Sequence, residues 1–115
     1  MKTFNNLNFD TSLRVLYKVK EKKGHKTLNE TYAYVGNKQD VDAMLDVALI
    51  SYNIANKTEL TEDQFHEVLA EKGIGFIKII QVFGEVIDAI MFDGTTEEER
   101  KNILALVEKE AKKQS

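Results

Sequence analysis

Residues 73–92, GIGFIKIIQVFGEVIDAIMF, restrict the fold of this chain more than any other segment. Their charged and amide side chains are Lys78, Gln81, Glu85 and Asp88, spaced by three, four and three residues. On an α-helix, which turns by about 100° per residue, this spacing places all four on one narrow polar ribbon. More than half of the circumference is therefore apolar, and it is filled by Phe76, Ile79, Ile80, Phe83, Val86, Ile87, Ile90 and Met91.

The length of this segment approaches that of a bilayer crossing, but its charges argue against one. A charged residue near the centre of a membrane costs roughly 2.5–3.5 kcal/mol, and Lys78, Glu85 and Asp88 all lie inside the segment. We therefore expect no membrane partner.

Two interpretations of the wide apolar face remain open. The segment is either the central helix of a small bundle or such a helix with part of its face left uncovered for a partner or a second copy. Gly84 costs about 1 kcal/mol relative to alanine in a helix interior, which is consistent with close approach of another helix. The candidate partner-binding residues are Phe76, Ile80, Phe83, Ile87 and Met91, with Leu45, Leu49 and Phe65 nearby in the sequence pattern.

Capping residues divide the rest of the chain into further helices. The first is expected to begin after Asp10 or Thr11 and to end at Gly24, and another to begin near Asp40. The sequences TEDQ, from Thr61, and TEEE, from Thr96, match the capping box, in which the fourth side chain bonds back to the first residue.

The predicted fold is mainly α: one domain over residues 1–115, built as a bundle of about five helices. Residues 30–36, with Tyr32 and Tyr34 separated by one small residue, indicate a short strand or an ordered loop, and a short strand near the N-terminus is a further alternative. The lysine-rich tail, residues 109–115, is expected to fray.

Composition and motifs argue against several classes of function. The net charge of −3 lacks the basic balance typical of nucleic-acid binding, and the absence of cysteine excludes disulfides and thiolate chemistry. HEVLA begins like a zinc-protease helix, but Ala70 stands where a second histidine is required. No catalytic constellation is recognisable, so we expect a non-enzymatic protein without metal or cofactor. The N-terminus lacks the apolar core of a signal peptide, which favours a cytoplasmic location.

Two stretches carry a family resemblance: FNNLNFDTSLRVLYKV, and DVDAMLDVALISYNIANKTELTEDQFHEVLAEKGIGFIKIIQVFGEVIDAIM. Their order of apolar and capping patterns resembles the tail assembly chaperones of long-tailed phages and prophages of Gram-positive bacteria. The matching parts are a phenylalanine-containing entry at residues 4–9, a helix over residues 45–49, a short capped helix over residues 60–69 and an apolar helix over residues 76–91.

This resemblance implies a small non-enzymatic protein that binds the tape-measure protein or another tail protein in the bacterial cytoplasm. In that role it keeps the long hydrophobic helices of its client from aggregating and helps to recruit tail-tube subunits. The resemblance implies no catalytic residues. A small dimeric regulatory or toxin-neutralising interaction module, associating through the same apolar helix, is the alternative.

Overall fold

The computed structural model describes residues 2–37 and 39–114. The chain is mainly helical, as predicted, and within the described residues a two-stranded hairpin precedes six helices rather than about five. The elements are β1 (Lys2–Phe4), β2 (Leu7–Phe9), α1 (Leu13–Lys23), α2 (Leu28–Gly36), α3 (Val41–Asn56), α4 (Glu62–Glu71), α5 (Phe76–Phe92) and α6 (Glu97–Gln114).

The N-terminal hairpin is antiparallel, with Phe4 paired to Leu7. Its two turn residues, Asn5 and Asn6, both have positive φ, of 50° and 65°, the conformation that tight hairpin turns require and that asparagine tolerates. Leu7 and Phe9 point into the core. The predicted N-terminal strand element is therefore confirmed.

The predicted helix boundaries mostly agree with the structure. The Asp40 side chain accepts a hydrogen bond from the Ala43 N–H, and the Thr61 box is complete in both directions. The Thr96 box is likewise complete, at 3.1 Å for each bond, and α1 ends at Gly24 in the left-handed conformation.

The start of α1 is different from the prediction. Ser12, rather than Asp10 or Thr11, is the residue that precedes the helix, and its side chain does not cap. Asp10 instead accepts hydrogen bonds from the N–H and hydroxyl of Ser12, at 2.8 and 2.5 Å. Its carboxylate also forms an ion pair with Arg14 at 2.6 Å. It orders the turn before the helix.

The strand or loop expected over residues 30–36 is wrong, because this stretch forms most of α2. The hydroxyl of Thr27 accepts a hydrogen bond from the Glu30 N–H and starts the helix. Thr31, Ala33 and Val35 are all buried, an alternation that resembles a strand. It arises here because α2 packs against α1, α3 and α5 and also against α6, so that opposite helix faces are covered.

Aromatic side chains from four elements meet in the core. Phe83 of α5 contacts Phe9 edge-on at 5.9 Å between ring centroids and stacks with Phe65 at 6.0 Å. Tyr52 of α3 completes the group, at 6.1 Å from Phe9 and 5.5 Å from Phe65. The hairpin, α3, α4 and α5 are thus joined at one point. None of the described helices is both long enough and apolar enough to cross a bilayer.

Candidate protein-interaction surface

Helix α5 has two halves with opposite environments. Its C-terminal half is enclosed, since Phe83, Val86, Ile87, Ile90 and Met91 are all buried. In its N-terminal half, Phe76 is 63% exposed, Ile77 71% and Ile80 43%. We call these three side chains the apolar patch. Large apolar side chains grouped in this way on two adjacent turns are typical of surfaces that bind another protein.

The apolar patch continues a face of α5 that is covered further along. At about 100° per residue, Phe76 and Ile80 lie within about 60° of Ile87 and Met91 around the helix axis. Helix α2 packs against α5, and the Met91 side chain lies against Gly36, the last residue of α2. One apolar face therefore runs along α5, covered at one end and open at the other.

The turn before α5 fixes the direction in which the apolar patch projects. Ile74 is buried, and its N–H donates to the Leu69 carbonyl at 2.9 Å. Gly73 adopts a φ of 69°, which lets the chain reverse after α4 without strain. The first turn of α5 is thus tied to the end of α4, and Phe76 is the first helical residue after that anchor.

The polar ribbon predicted on α5 borders the apolar patch. Lys78, Gln81 and Glu85 are exposed, and Asp88 is half-buried. The ribbon borders the patch on the side of Ile77 and limits its width there.

The predicted partner-binding residues divide into two groups. Phe76 and Ile80 are exposed within the apolar patch, and Leu45 is half-buried. The other five are buried by the fold: Leu49, Phe65, Phe83, Ile87 and Met91. Their burial corrects the extent of the predicted surface, because α2, α3 and α4 cover more of the face than their narrow apolar stripes indicated.

A shallow cleft of about 200 Å³ lies between α3 and α4. Leu45, Leu49 and Phe65 form its floor, and its rim is acidic or polar: Asp42, Asp46, Glu62 and His66. At this volume the cleft is too small to hold more than one side chain of a partner.

Sequence reasoning missed Ile77, the most exposed member of the apolar patch. It lies at the edge of the apolar arc, beside the polar ribbon, where a helical projection does not decide between core and solvent. Its position on the same side as Gly84, about 20° away around the axis, is the signal that could have identified it.

A second exposed pair lies on α1. Leu13 and Tyr17, one turn apart, are each about half exposed, whereas Val15, Leu16 and Val19 of the same helix are buried. Leu13 and Tyr17 therefore lie outside the buried face of α1. The α1 pair is a smaller apolar surface than the apolar patch, because it has two residues instead of three and charged neighbours on both sides.

A cluster of partly buried polar groups acts as an internal anchor. The Tyr34 hydroxyl donates to Asp46 at 2.8 Å, and the Lys23 ammonium bonds the same carboxylate oxygen at 2.8 Å. Burial, followed by the hydrogen bond to Asp46, raises the pKa of Tyr34 to about 12, so the phenol stays protonated and donating at neutral pH. This cluster ties α1, α2 and α3 together.

The Asp10 carboxylate is a similar anchor for the N-terminal turn. Burial alone would raise its pKa, but the hydrogen bonds from Ser12 and the charge of Arg14 outweigh burial and lower it. The Ser51 hydroxyl also donates to the Asp10 carbonyl at 2.6 Å. Among the residues described, no group of three or more histidines and acids could hold a metal ion.

Comparison with protein-family models, with curated proteins and with solved structures finds no match for this chain.

Proposed function

We propose that this protein is a non-enzymatic phage tail assembly chaperone, which acts in the cytoplasm of the bacterial host and binds a hydrophobic helix of the tape-measure protein or another tail protein. The observation that carries the proposal is the apolar patch: Phe76, Ile77 and Ile80 are exposed on an otherwise buried face of α5. An amphipathic client helix laid on this face would extend the apolar contacts that α2 makes with its other end.

The size of the apolar patch is suited to reversible binding. The exposed fractions of its three side chains correspond to roughly 350 Å² of apolar surface. If a client helix contributes a similar area, the gross gain at about 25 cal/mol per Å² is about 17 kcal/mol, against an association cost of about 4–15 kcal/mol. The gain exceeds the cost by about 2–13 kcal/mol, so binding is favourable. The combined area of about 700 Å² is below the 1,200–2,000 Å² of stable complexes, which suits a client that has to be released.

The order of elements is also consistent with the family resemblance. The hairpin that contains Phe4 and Phe9 precedes the first helix, at the position of the phenylalanine-containing entry of the family. Helix α3 contains residues 45–49, and the capped helix α4 contains most of residues 60–69. Helix α5 contains residues 76–91. These correspondences support the proposal through pattern alone.

Co-expression with the tape-measure protein tests the proposal. In a phage or prophage, its gene should follow the gene for this chain. We expect the wild-type chain to keep the client in the soluble fraction and to co-purify with it. Phe76→Glu should abolish both effects, because a charge would have to be desolvated in the contact.

Leu13→Glu is the matched control. Leu13 is the first residue of α1, as Phe76 is of α5, and both are more than half exposed, so both substitutions place a glutamate at a helix N-terminus. Equal loss of client binding in both variants, or none in Phe76→Glu, would contradict the proposal. A toxin or regulator gene in place of the tape-measure gene would favour the dimeric regulatory alternative.

A further inference from the structure

Gly84 is not required by the packing of the single chain. Apart from the helix's own backbone, only the Met44 methyl carbon, among the described residues, comes within 4 Å of a Cβ built at this position, at 3.9 Å. An alanine would fit there and would favour the helix by about 1 kcal/mol. Gly36 is different: a Cβ there would meet Val107 at 3.1 Å and Met91 at 3.2 Å, so an internal contact explains that glycine.

The missing side chain at Gly84 lies beside the apolar patch. Gly84 is half-buried, two turns after Phe76 and one turn after Ile80. Phe76, Ile80 and Gly84 thus form one ridge of residues four apart, with a large side chain at one end and a notch at the other. The two ends are each about 6 Å from Ile80 along the helix axis.

We propose that a second copy of this chain docks on the apolar patch, with the two α5 helices crossing antiparallel at Ile80. A two-fold axis at Ile80 places Phe76 of each chain against Gly84 of the other, so the same surface supplies both the side chain and the notch. Self-complementarity of this kind is what a two-fold interface needs. A ridge of residues four apart on each helix is the commonest basis for helix packing.

The predicted dimer is weak. Two copies of the apolar patch together bury roughly 700 Å², below the 1,200–2,000 Å² of stable complexes. An interface of this size is expected to be transient. This inference concerns the patch that the proposed function assigns to the client, so that a client and a second copy exclude each other. The dimer requires no client and is tested on the purified chain alone.

Disulfide trapping tests this geometry directly, because the chain contains no cysteine. Two helices packed at about 8–10 Å, with their Cα atoms about 2.3 Å from each axis, bring facing Cα atoms to roughly 3.4–5.4 Å. The upper part of that range overlaps the roughly 4.4–6.8 Å of disulfides. Ile80→Cys is therefore expected to form a covalent dimer under mild oxidation, in clearly higher yield than the control Leu13→Cys.

Mixing two cysteine variants that differ in chain length, so that the mixed covalent dimer is recognised by its size, distinguishes antiparallel from parallel docking. Phe76→Cys with Gly84→Cys should give a mixed dimer, whereas Phe76→Cys alone should give no more covalent dimer than Leu13→Cys. Adding Gly84→Leu to Ile80→Cys should abolish trapping, and circular dichroism should show that the helices are retained.

The proposal is overturned if Ile80→Cys is trapped no better than Leu13→Cys, or if Phe76→Cys is trapped by itself as efficiently as Ile80→Cys. Either result leaves the client experiment unaffected. Conversely, if the wild-type chain does not bind the client although Ile80→Cys is trapped, the proposed function is removed and the dimer remains.

Discussion

Replacing Phe83 and, separately, Phe76 with alanine removes the same side chain from two positions on one helix. Phe83 is completely buried, with its ring 5.9 Å from that of Phe9 and 6.0 Å from that of Phe65. Truncating a phenylalanine in such a site costs about 3–5 kcal/mol, because apolar burial is lost and a cavity remains. Phe76 is 63% exposed, so Phe76→Ala should change the free energy of unfolding by about 0.5 kcal/mol or less.

Urea unfolding followed by far-ultraviolet circular dichroism measures both changes. A domain of this size has a stability of about 5–15 kcal/mol, so Phe83→Ala should remove a large part of it. In thermal unfolding, 1 kcal/mol corresponds to about 4 °C in Tm. The Tm of Phe83→Ala should therefore fall by roughly 12–20 °C, while the Tm of Phe76→Ala stays within about 2 °C of wild type. Equal losses in the two variants would refute the division of α5 into a buried and an open half.

Three further changes test particular contacts. In thermal unfolding, Gly36→Ala should gain less stability than the roughly 1 kcal/mol by which alanine is favoured in an open helix, because its Cβ would press on the Val107 and Met91 side chains; a gain equal to that of Gly84→Ala would contradict that packing. Because the pKa of Tyr34 is raised, its contribution to stability is complete below pH 10 and is lost as the pH rises towards 12. In a phenolate absorbance titration, Asp46→Asn should lower the pKa of Tyr34, and an unchanged titration would contradict the hydrogen bond. Thr61→Ala should cost about 1 kcal/mol in urea unfolding by removing the α4 cap, and no change would argue against the capping box.

Local chemistry made most helix boundaries predictable. Asp40, Thr61 and Thr96 each supply an oxygen to a free N–H of the first helical turn, and Gly24 permits the left-handed conformation that ends α1. These interactions involve residues no more than four apart, so they can be recognised in the sequence.

Helix α2 shows where a local pattern misleads. Tyr32 and Tyr34, separated by one small residue, resemble a strand, but they lie on a helix that elements distant in sequence cover on opposite sides. Thr27 and Glu30 have the spacing of a capping box, and the Thr27 hydroxyl does accept from the Glu30 N–H. That local signal predicts a helix where the alternation does not.

The candidate site was predictable only in part for the same reason. The spacing of Lys78, Gln81, Glu85 and Asp88 predicts the apolar arc of α5, and the structure places this ribbon beside the apolar patch. Which part of the arc is covered depends on where α2, α3 and α4 pack, and those contacts join residues far apart in the chain. Ile87 and Met91 are covered and Phe76 and Ile80 are not, although all four share one face.

Titration of the isotope-labelled protein with helical peptides from the tape-measure protein, followed by amide NMR, tests the central claim most directly. The account predicts that shift changes concentrate in residues 76–84 and that Phe76→Glu removes them while Leu13→Glu does not. Shift changes centred on α1 or α6 instead, or none with peptides that span the whole client, would contradict the claim that the open half of α5 is the binding surface.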